Sequence, residues 1–503
     1  MLFNSFSYLL FLPIVFILYW LSPAKHRKIL LLAASYFFYM SWKAEYGLLL
    51  LGLTVVNYSF GWLIDKYKSA NKDAIAKNIL VLGVISNIVC LCFYKYANLL
   101  LETAFQALHI SAKVLHMSAA ETWASPTLNI ILPLGISFFT FEFIHYIIDI
   151  NRGSKPIKSF IDFALFASFF PSQIAGPIKR FQDFYKQMFD APAFQSDQFR
   201  QGIFLILQGL FKKVVLGDHL GMLSNLGYSN VPGLSISDAW ISMTAFYLLV
   251  FFDFSGYTDI GRGSALLLGY KVPENFNLPY LSFSPTEFWR RWHMSLSTWL
   301  RDYLFIPLGG SRTTESIICR NLFITMALGG LWHGAAWHFM VWGGIHGIAL
   351  IIARKWSAIC KGNATLSALR PSPIWHWSGI IGTILFVELS HVVFRSNSLA
   401  EAGVYYQRLF NFATLNEPGA VTATWLTSTI FATLPIYAVY SFIRHKSIKV
   451  STNPSAALYK PVCSVQNYWN NSLALRCITG VAAAWIIAGC APSQLVPFFY
   501  FQF

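Results

Sequence analysis

Residues 321–353 read NLFITMALGGLWHGAAWHFMVWGGIHGIALIIA. The stretch holds no Asp, Glu, Lys or Arg, and it is longer than the roughly 20 apolar residues that a helix needs to cross a hydrocarbon core. It is too long for one typical span, which points to a bend or to close helix contact. Gly329-Gly330 and Gly343-Gly344 are the places where backbones can approach. His333, His338 and His346 sit inside the run. Ionisable side chains at membrane depth are costly and mark function by default.

The rest of the chain agrees with a lipid setting. Of 503 residues, 55% are apolar and 12% charged, against about 25% charged in soluble domains. Apolar segments recur near 6–21, 29–40, 46–64, 79–101 and 128–148, and again near 199–223, 239–254, 377–394, 425–443 and 475–490. The expected fold is therefore an all-α polytopic integral membrane protein. A closed barrel would alternate with period two in segments of about ten residues, and no such pattern is present. No linker or internal repeat is visible. We expect one membrane body over 1–503, with N-terminal helices in 1–150, a core in 160–353 and C-terminal helices with an aromatic tail in 374–503.

Charge gives the expected orientation. The net charge of +15 fits basic cytoplasmic loops better than nucleic acid, because no soluble basic module exists. Lys25, Arg27 and Lys28, then Lys66, Lys68, Lys72 and Lys77, then Arg152, Lys155 and Lys158 follow alternate apolar segments. This bias places the N-terminus outside. The first segment follows no basic region and no small-residue cleavage site, so it reads as a retained helix. Residues 160–177 contain Pro171 and Gly176-Pro177 and lead into Lys179, Arg180 and Lys186, which favours a re-entrant or interfacial element over a full span. Seven scattered cysteines suggest packing rather than disulfides or zinc.

Upstream of the opening run lie Phe288-Trp289-Arg290-Arg291-Trp292-His293 and Trp299-Leu300-Arg301-Asp302-Tyr303. Arg290, Arg291 and Arg301 stay charged, so carboxylates, carbonyls, water or phosphate must relieve them. Glu287 and Asp302 can balance two of them. The rest can meet lipid headgroups or the phosphates of a nucleotide-containing donor. Trp289, Trp292 and Trp299 suit a segment at the membrane interface, and an interfacial helix anchored on lipid is the plainer reading.

His333 is set among small and apolar neighbours. A neutral imidazole there can take a hydroxyl proton and return it. The plainer alternative is a histidine bonded to a carbonyl for packing. No carboxylate or cysteine joins His333, His338 and His346 at a ligand spacing, so no metal is expected. A second function class stays open, a polytopic transporter with an intramembrane histidine proton relay. That class usually shows paired broken helices in corresponding halves.

Phe252-Asp253-Phe254-Ser255-Gly256-Tyr257-Thr258-Asp259, Pro273-Glu274-Asn275-Phe276-Asn277, the 288–302 stretch and Trp332-His333-Gly334 together resemble the membrane-bound O-acyltransferase superfamily. Gln173 to Arg180, the opening 1–23 stretch and the closing Phe499-Tyr500-Phe501-Gln502-Phe503 resemble its alginate and peptidoglycan O-acetyltransferase branch. The resemblance covers nearly the whole chain. It implies a ring of helices around a tunnel, with the family's invariant histidine at His333. The second position, Asn in many relatives and His in the bacterial exporters' branch, falls at His293. It further implies that Arg290, Arg291, Trp292, Arg301, Asp302, Trp332 and His346 line the tunnel or substrate path.

The same resemblance implies acetyl transfer from cytosolic acetyl-CoA, a substrate rather than a bound cofactor, towards an extracytoplasmic polysaccharide. The setting would be the bacterial inner membrane, with a periplasmic SGNH-hydrolase-like acetyltransferase as partner. No Gly-rich phosphate loop supports the donor, since Gly261-Arg262-Gly263 is too short to count. The tail offers one strong nucleophile, the Tyr500 phenol. A similar tail in the related D-alanine export systems implies that Tyr500 relays the acyl group. The alternative is an aromatic anchor at the membrane surface.

Overall fold

The computed structural model describes residues 1–114, 127–174, 176–189, 192–415, 417–428 and part of 480–491. It is helical, with no strand among the described residues. The chain divides into two compact units, one built from Met1–Gly202 and Gly261–Ile384, the other from Ile203–Ile260 and the described part of Leu385–Phe499.

In the first unit the chain runs through α1 (Phe6–Leu21), α2 (Ala24–Met40), α3 (Glu45–Ser69) and α4 (Asp73–Leu91). It passes a π-helical turn at Cys92–Tyr96 and continues as α5 (Ala97–Val114). Next come α6 (Ile136–Asn151), α7 (Phe160–Ser168), the single turn α8 (Phe170–Gln173) and α9 (Phe181–Lys186). The chain leaves this unit along α10 (Ser196–Leu210), and α11 (Asp218–Tyr228) and most of α12 (Ile236–Leu267) belong to the second. The first unit resumes with the short α13 (Pro285–Arg291) and α14 (Met294–Leu300), then α15 (Glu315–His333), α16 (Trp337–Gly362), α17 (Ala364–Leu369) and most of α18 (Pro373–Arg395). The second unit also holds α19 (Leu399–Leu409) and α20 (Ala420–Thr427).

Among the described residues, four helical stretches have the length and apolarity to cross a membrane: Glu45–Ser69, Asp73–Leu108, Ile236–Leu267 and Pro373–Arg395. Leu48, Val55 and Trp62 on α3 and Leu82, Ile85 and Val89 on α4 are exposed. Apolar side chains displayed in this way belong against lipid. Inside, Asn57 of α3 and Asn87 of α4 exchange amide hydrogen bonds of 3.2 and 2.7 Å. Such pairs hold spans together where the hydrophobic effect is weak.

By contrast, α6 is buried almost all round, and polar Glu142, His145 and Asp149 lie within it. Local chemistry sets where the short helices begin. Ser284 accepts from Glu287 N at 3.2 Å, Pro285 fills the first turn, and Glu287 reaches back to Phe283 N at 2.9 Å. This variant of the capping box satisfies two backbone donors at the start of α13.

One expected boundary changes, and two segments expected to be broken take definite form. The apolar 128–148 stretch becomes helical only at Ile136, because Pro133 precedes it and Gly135 takes a left-handed turn at φ 72°. The 160–177 stretch breaks at Phe169 between α7 and α8, and its described side chains from Asp162 onward are nearly all buried in protein. The 321–353 stretch is two antiparallel helices joined through Gly334-Ala335-Ala336. Most of 425–443 and 475–490 lies outside the described residues.

Candidate active site

The α15–α16 hairpin closes on glycine. A Cβ added to Gly330 would run into Phe339 O, and one added to Gly343 would run into Met326 O, so the two backbones touch. That contact allows the large rings near the hairpin tip to interleave. His333 is the last residue of α15 and is buried. Its ring centre lies 5.0 Å from Trp332 and 5.3 Å from Trp342, which meets it at 90°. Trp342 in turn lies 4.7 Å from His346. The Trp289 indole donates to His346 Nδ1 at 3.3 Å, which leaves the proton of that imidazole on Nε2.

His293 reaches the same cluster from the turn between α13 and α14, with its ring 5.9 Å from Trp332 and 6.5 Å from Phe138. It is fully buried and sits in the left-handed region, at φ 41° and ψ 53°. The turn is laced to the 273–277 motif: Asn277 N donates to Arg291 O and Met294 N to Asn275 O, each at 2.9 Å. The Asn275 side chain accepts from Ser295 Oγ at 2.6 Å. Burial holds the His293 imidazole well below the usual histidine range, so it stays neutral.

The structure thus gathers His293, His333, Trp332 and His346 into one buried ring cluster. Trp292 is also buried, stacked on Phe288 at 5.4 Å. The arginines make their contacts elsewhere. Arg290 is exposed, Arg291 pairs with Glu287 at 2.6 Å, and Arg301 pairs with Asp302 at 2.7 Å. Asp302 also accepts from Arg180. Burial opposes ionisation of Asp302, but the hydrogen bonds from Arg301 and Arg180 outweigh it and hold the carboxyl below its ordinary value.

The interfacial placement of the indoles is corrected: Trp289, Trp292 and Trp299 are all buried in protein. Trp299 stacks on Phe141 at 3.8 Å and donates to Phe141 O at 3.1 Å. A tryptophan can be buried when its N–H is answered, and here the protein answers those of Trp289 and Trp299. Tyr500 lies outside the described residues.

Sequence reading missed a polar network beside the cluster. Lys179 and Glu142 form a 2.8 Å ion pair, with 2% and 6% of their side chains exposed. Tyr303 donates to Asp149 at 2.7 Å and accepts from Arg180 at 2.6 Å. Glu142, His145 and Asp149 are ionisable residues in an apolar segment, the signal that singled out His333. A pocket of about 430 Å³ opens nearby, bordered by Arg180, Asp183, Lys271, Glu274, Met294 and Ser295. Its wall therefore includes the two residues that follow His293. Among the described residues, no group of three His, Cys, Asp or Glu side chains converges to hold a metal ion.

The model of the membrane-bound O-acyltransferase family, MBOAT, matches residues 152–392, a span that contains His293, Trp332, His333 and His346. The chain is 36% identical over 522 residues to the probable alginate O-acetylase AlgI of Azotobacter vinelandii, covering 100% of both chains. The chain belongs to the membrane-bound O-acyltransferase family. It is a multi-pass membrane acyltransferase. The probable alginate O-acetylase AlgI of Pseudomonas aeruginosa is 41% identical over 416 residues, covering 82% of this chain and 76% of that one. The peptidoglycan O-acetyltransferase of Helicobacter pylori is 35% identical over 442 residues, covering 80% and 78%. The full-length likeness extends beyond the matched span to the helices that pack outside it.

Proposed function

We propose that the chain transfers acetyl from acetyl-CoA on the cytosolic side of a bacterial inner membrane, for O-acetylation of an extracytoplasmic polysaccharide such as alginate, peptidoglycan or another exopolysaccharide. The observation that carries this reading is the meeting of His293 and His333 on Trp332, in a chain similar end to end to alginate O-acetylases. The donor enters the pocket beside Met294 and Ser295, where Arg180 and Lys271 suit its phosphates.

His333 accepts the proton of the attacking hydroxyl as its oxygen bonds to the thioester carbonyl carbon. The C–S bond then breaks, and the departing thiolate takes that proton back from His333. Neutral His293 donates an N–H to the oxyanion that develops between these steps. The acceptor hydroxyl is either that of a bound polymer or the Tyr500 phenol, which then passes acetyl to a periplasmic SGNH-hydrolase-like partner.

The test follows CoA release from acetyl-CoA in vesicles carrying the full chain, together with the acetyl content of the exported polymer. His333→Ala should insert normally and lose about 10²–10⁴ in rate, the usual contribution of acid–base help. Normal polymer acetylation by that variant would remove the assignment. Tyr500→Phe should abolish polymer acetylation if the phenol carries acetyl, and full activity there would leave direct transfer.

A further inference from the structure

Three consecutive carbonyls at the C-terminal end of α15 are met by two side chains from the π-helical turn at Cys92–Tyr96. Tyr96 Oη donates to Leu331 O at 3.0 Å. Lys95 Nζ donates to Trp332 O and, at 3.4 Å, to His333 O. The last carbonyls of a helix have no partner within it, and a lipid-bounded protein has little water to supply one. A lysine brings three donors on one nitrogen, enough to span two adjacent carbonyls. Lys95 Nζ also lies 5.8 Å from the centre of the Trp332 ring and 5.9 Å from that of Tyr96, within reach of both aromatic faces.

The place of this contact gives it meaning. His333 is the terminal residue of α15, followed by extended Gly334. A helix end frays unless something fixes it, and here fraying would move the imidazole itself. The π turn of the opposing helix shifts the register so that Lys95 and Tyr96 both face α15. Such turns are frequent at functional sites.

We propose that Lys95 is a positioning residue for acyl transfer, which with Tyr96 clamps the end of α15 and sets where His333 meets the acceptor hydroxyl. The inference rests on the reading of His333 as the base. A misplacement of about 1 Å at a reacting group can cost 10²-fold in rate without changing how substrate binds.

Lys95→Met keeps length and apolar bulk while removing every donor. In vesicles it should lower kcat by about 10- to 100-fold, with KM for acetyl-CoA held to about twofold and the detergent melting temperature near wild type. Lys95→Arg, which retains donors at similar reach, should recover most of the loss. Wild-type kcat in Lys95→Met would overturn the proposal. So would equal losses in the Met and Arg variants accompanied by a raised KM and a lowered melting temperature, the pattern of a purely structural role. If Lys95→Met fails to accumulate, Tyr96→Phe decides: kcat should drop several-fold with KM unchanged, and an unchanged kcat would overturn the clamp. His333→Ala is assayed alongside. An active His333→Ala removes the underlying reading, whereas an inactive one beside a full-speed Lys95→Met overturns the Lys95 proposal alone.

Discussion

His293 and His333 lie against the same indole, with the Trp332 ring centre 5.9 Å from one and 5.0 Å from the other. They arrive from different directions, one from a turn between two short helices and one from the end of a long one. Trp332 therefore touches both imidazoles and packs the place where each one sits. It is itself stacked against Phe141 at 5.6 Å and meets Phe138 at 5.4 Å.

Removing that shared indole should show in stability before activity. Trp332→Ala deletes a buried aromatic and should cost about 3–5 kcal/mol, as large-to-small core changes of this size do. Trp332→Phe should keep most of that stability while changing the packing against both histidines, so acetyl transfer falls more than melting temperature does. Thermal unfolding in detergent with parallel turnover measurements separates the two effects. Equal stability of the Ala variant and wild type would contradict the packing role.

The glycine contact between α15 and α16 gives a sharper structural prediction. In Gly343→Val the branched side chain must be driven into Met326 O and the Gly330 backbone. Overpacking of this kind typically costs about 1–3 kcal/mol or more. We expect low accumulation, and loss of activity in what does accumulate, because the hairpin tip carries His333. Gly362→Ala on the same helix, where nothing lies within 4 Å, is the control and should behave as wild type.

The buried Lys179–Glu142 pair should be cheap to replace and costly to break. Lys179→Met leaves the Glu142 carboxylate without its cation and should destabilise by roughly 3–5 kcal/mol. Adding Glu142→Leu to that background should recover much of the loss, because an apolar pair of similar volume is often neutral. Denaturation of the two single variants and the double variant checks this directly. Additive losses would show that the pair is not coupled.

Much of the site was legible because an ionisable residue in an apolar run has few innocent explanations. His333 and His346 could be read in this way, and Glu287 and Asp302 could be read as balancing charges, though which arginine each one takes could not. The same rule applied to Lys95, Glu142 and Asp149 would have exposed the clamp and the network. The tryptophans were misplaced for a different reason. An indole is equally content at an interface or inside protein once its N–H is answered, and the acceptors Phe141 O and His346 Nδ1 are distant in sequence. The break of residues 321–353 into a hairpin was foreshadowed by length and glycine, whereas the late start of α6 turned on Pro133 and Gly135.

Acid sensitivity offers a test of His293. In the unfolded chain its pKa is about 6.5, while burial depresses it in the fold. Above pH ~6.5 both states are neutral and the residue adds no pH dependence. Below it the unfolded chain binds a proton that the fold refuses, so stability falls by about 1.4 kcal/mol per pH unit until the folded pKa is reached. His293→Asn cannot take up that proton. Its stability should fall less than that of wild type between pH 6.5 and 5, as read by chemical denaturation in detergent. Parallel decline of the two proteins would contradict the assignment.

The left-handed turn at residue 293 also limits what a lineage can try there. At φ 41° a side chain with a Cβ is disfavoured, and Asn, Asp and His are the types that tolerate it best. An exchange of His for Asn here, which the family resemblance implies, is compatible with the main chain and needs no shared proton chemistry, since Asn takes up no proton. What the two side chains have in common is an uncharged N–H offered from a fixed corner. Glutamine could offer the same group, but its side chain is disfavoured at such a φ, so backbone shape narrows what can stand here before reactivity does.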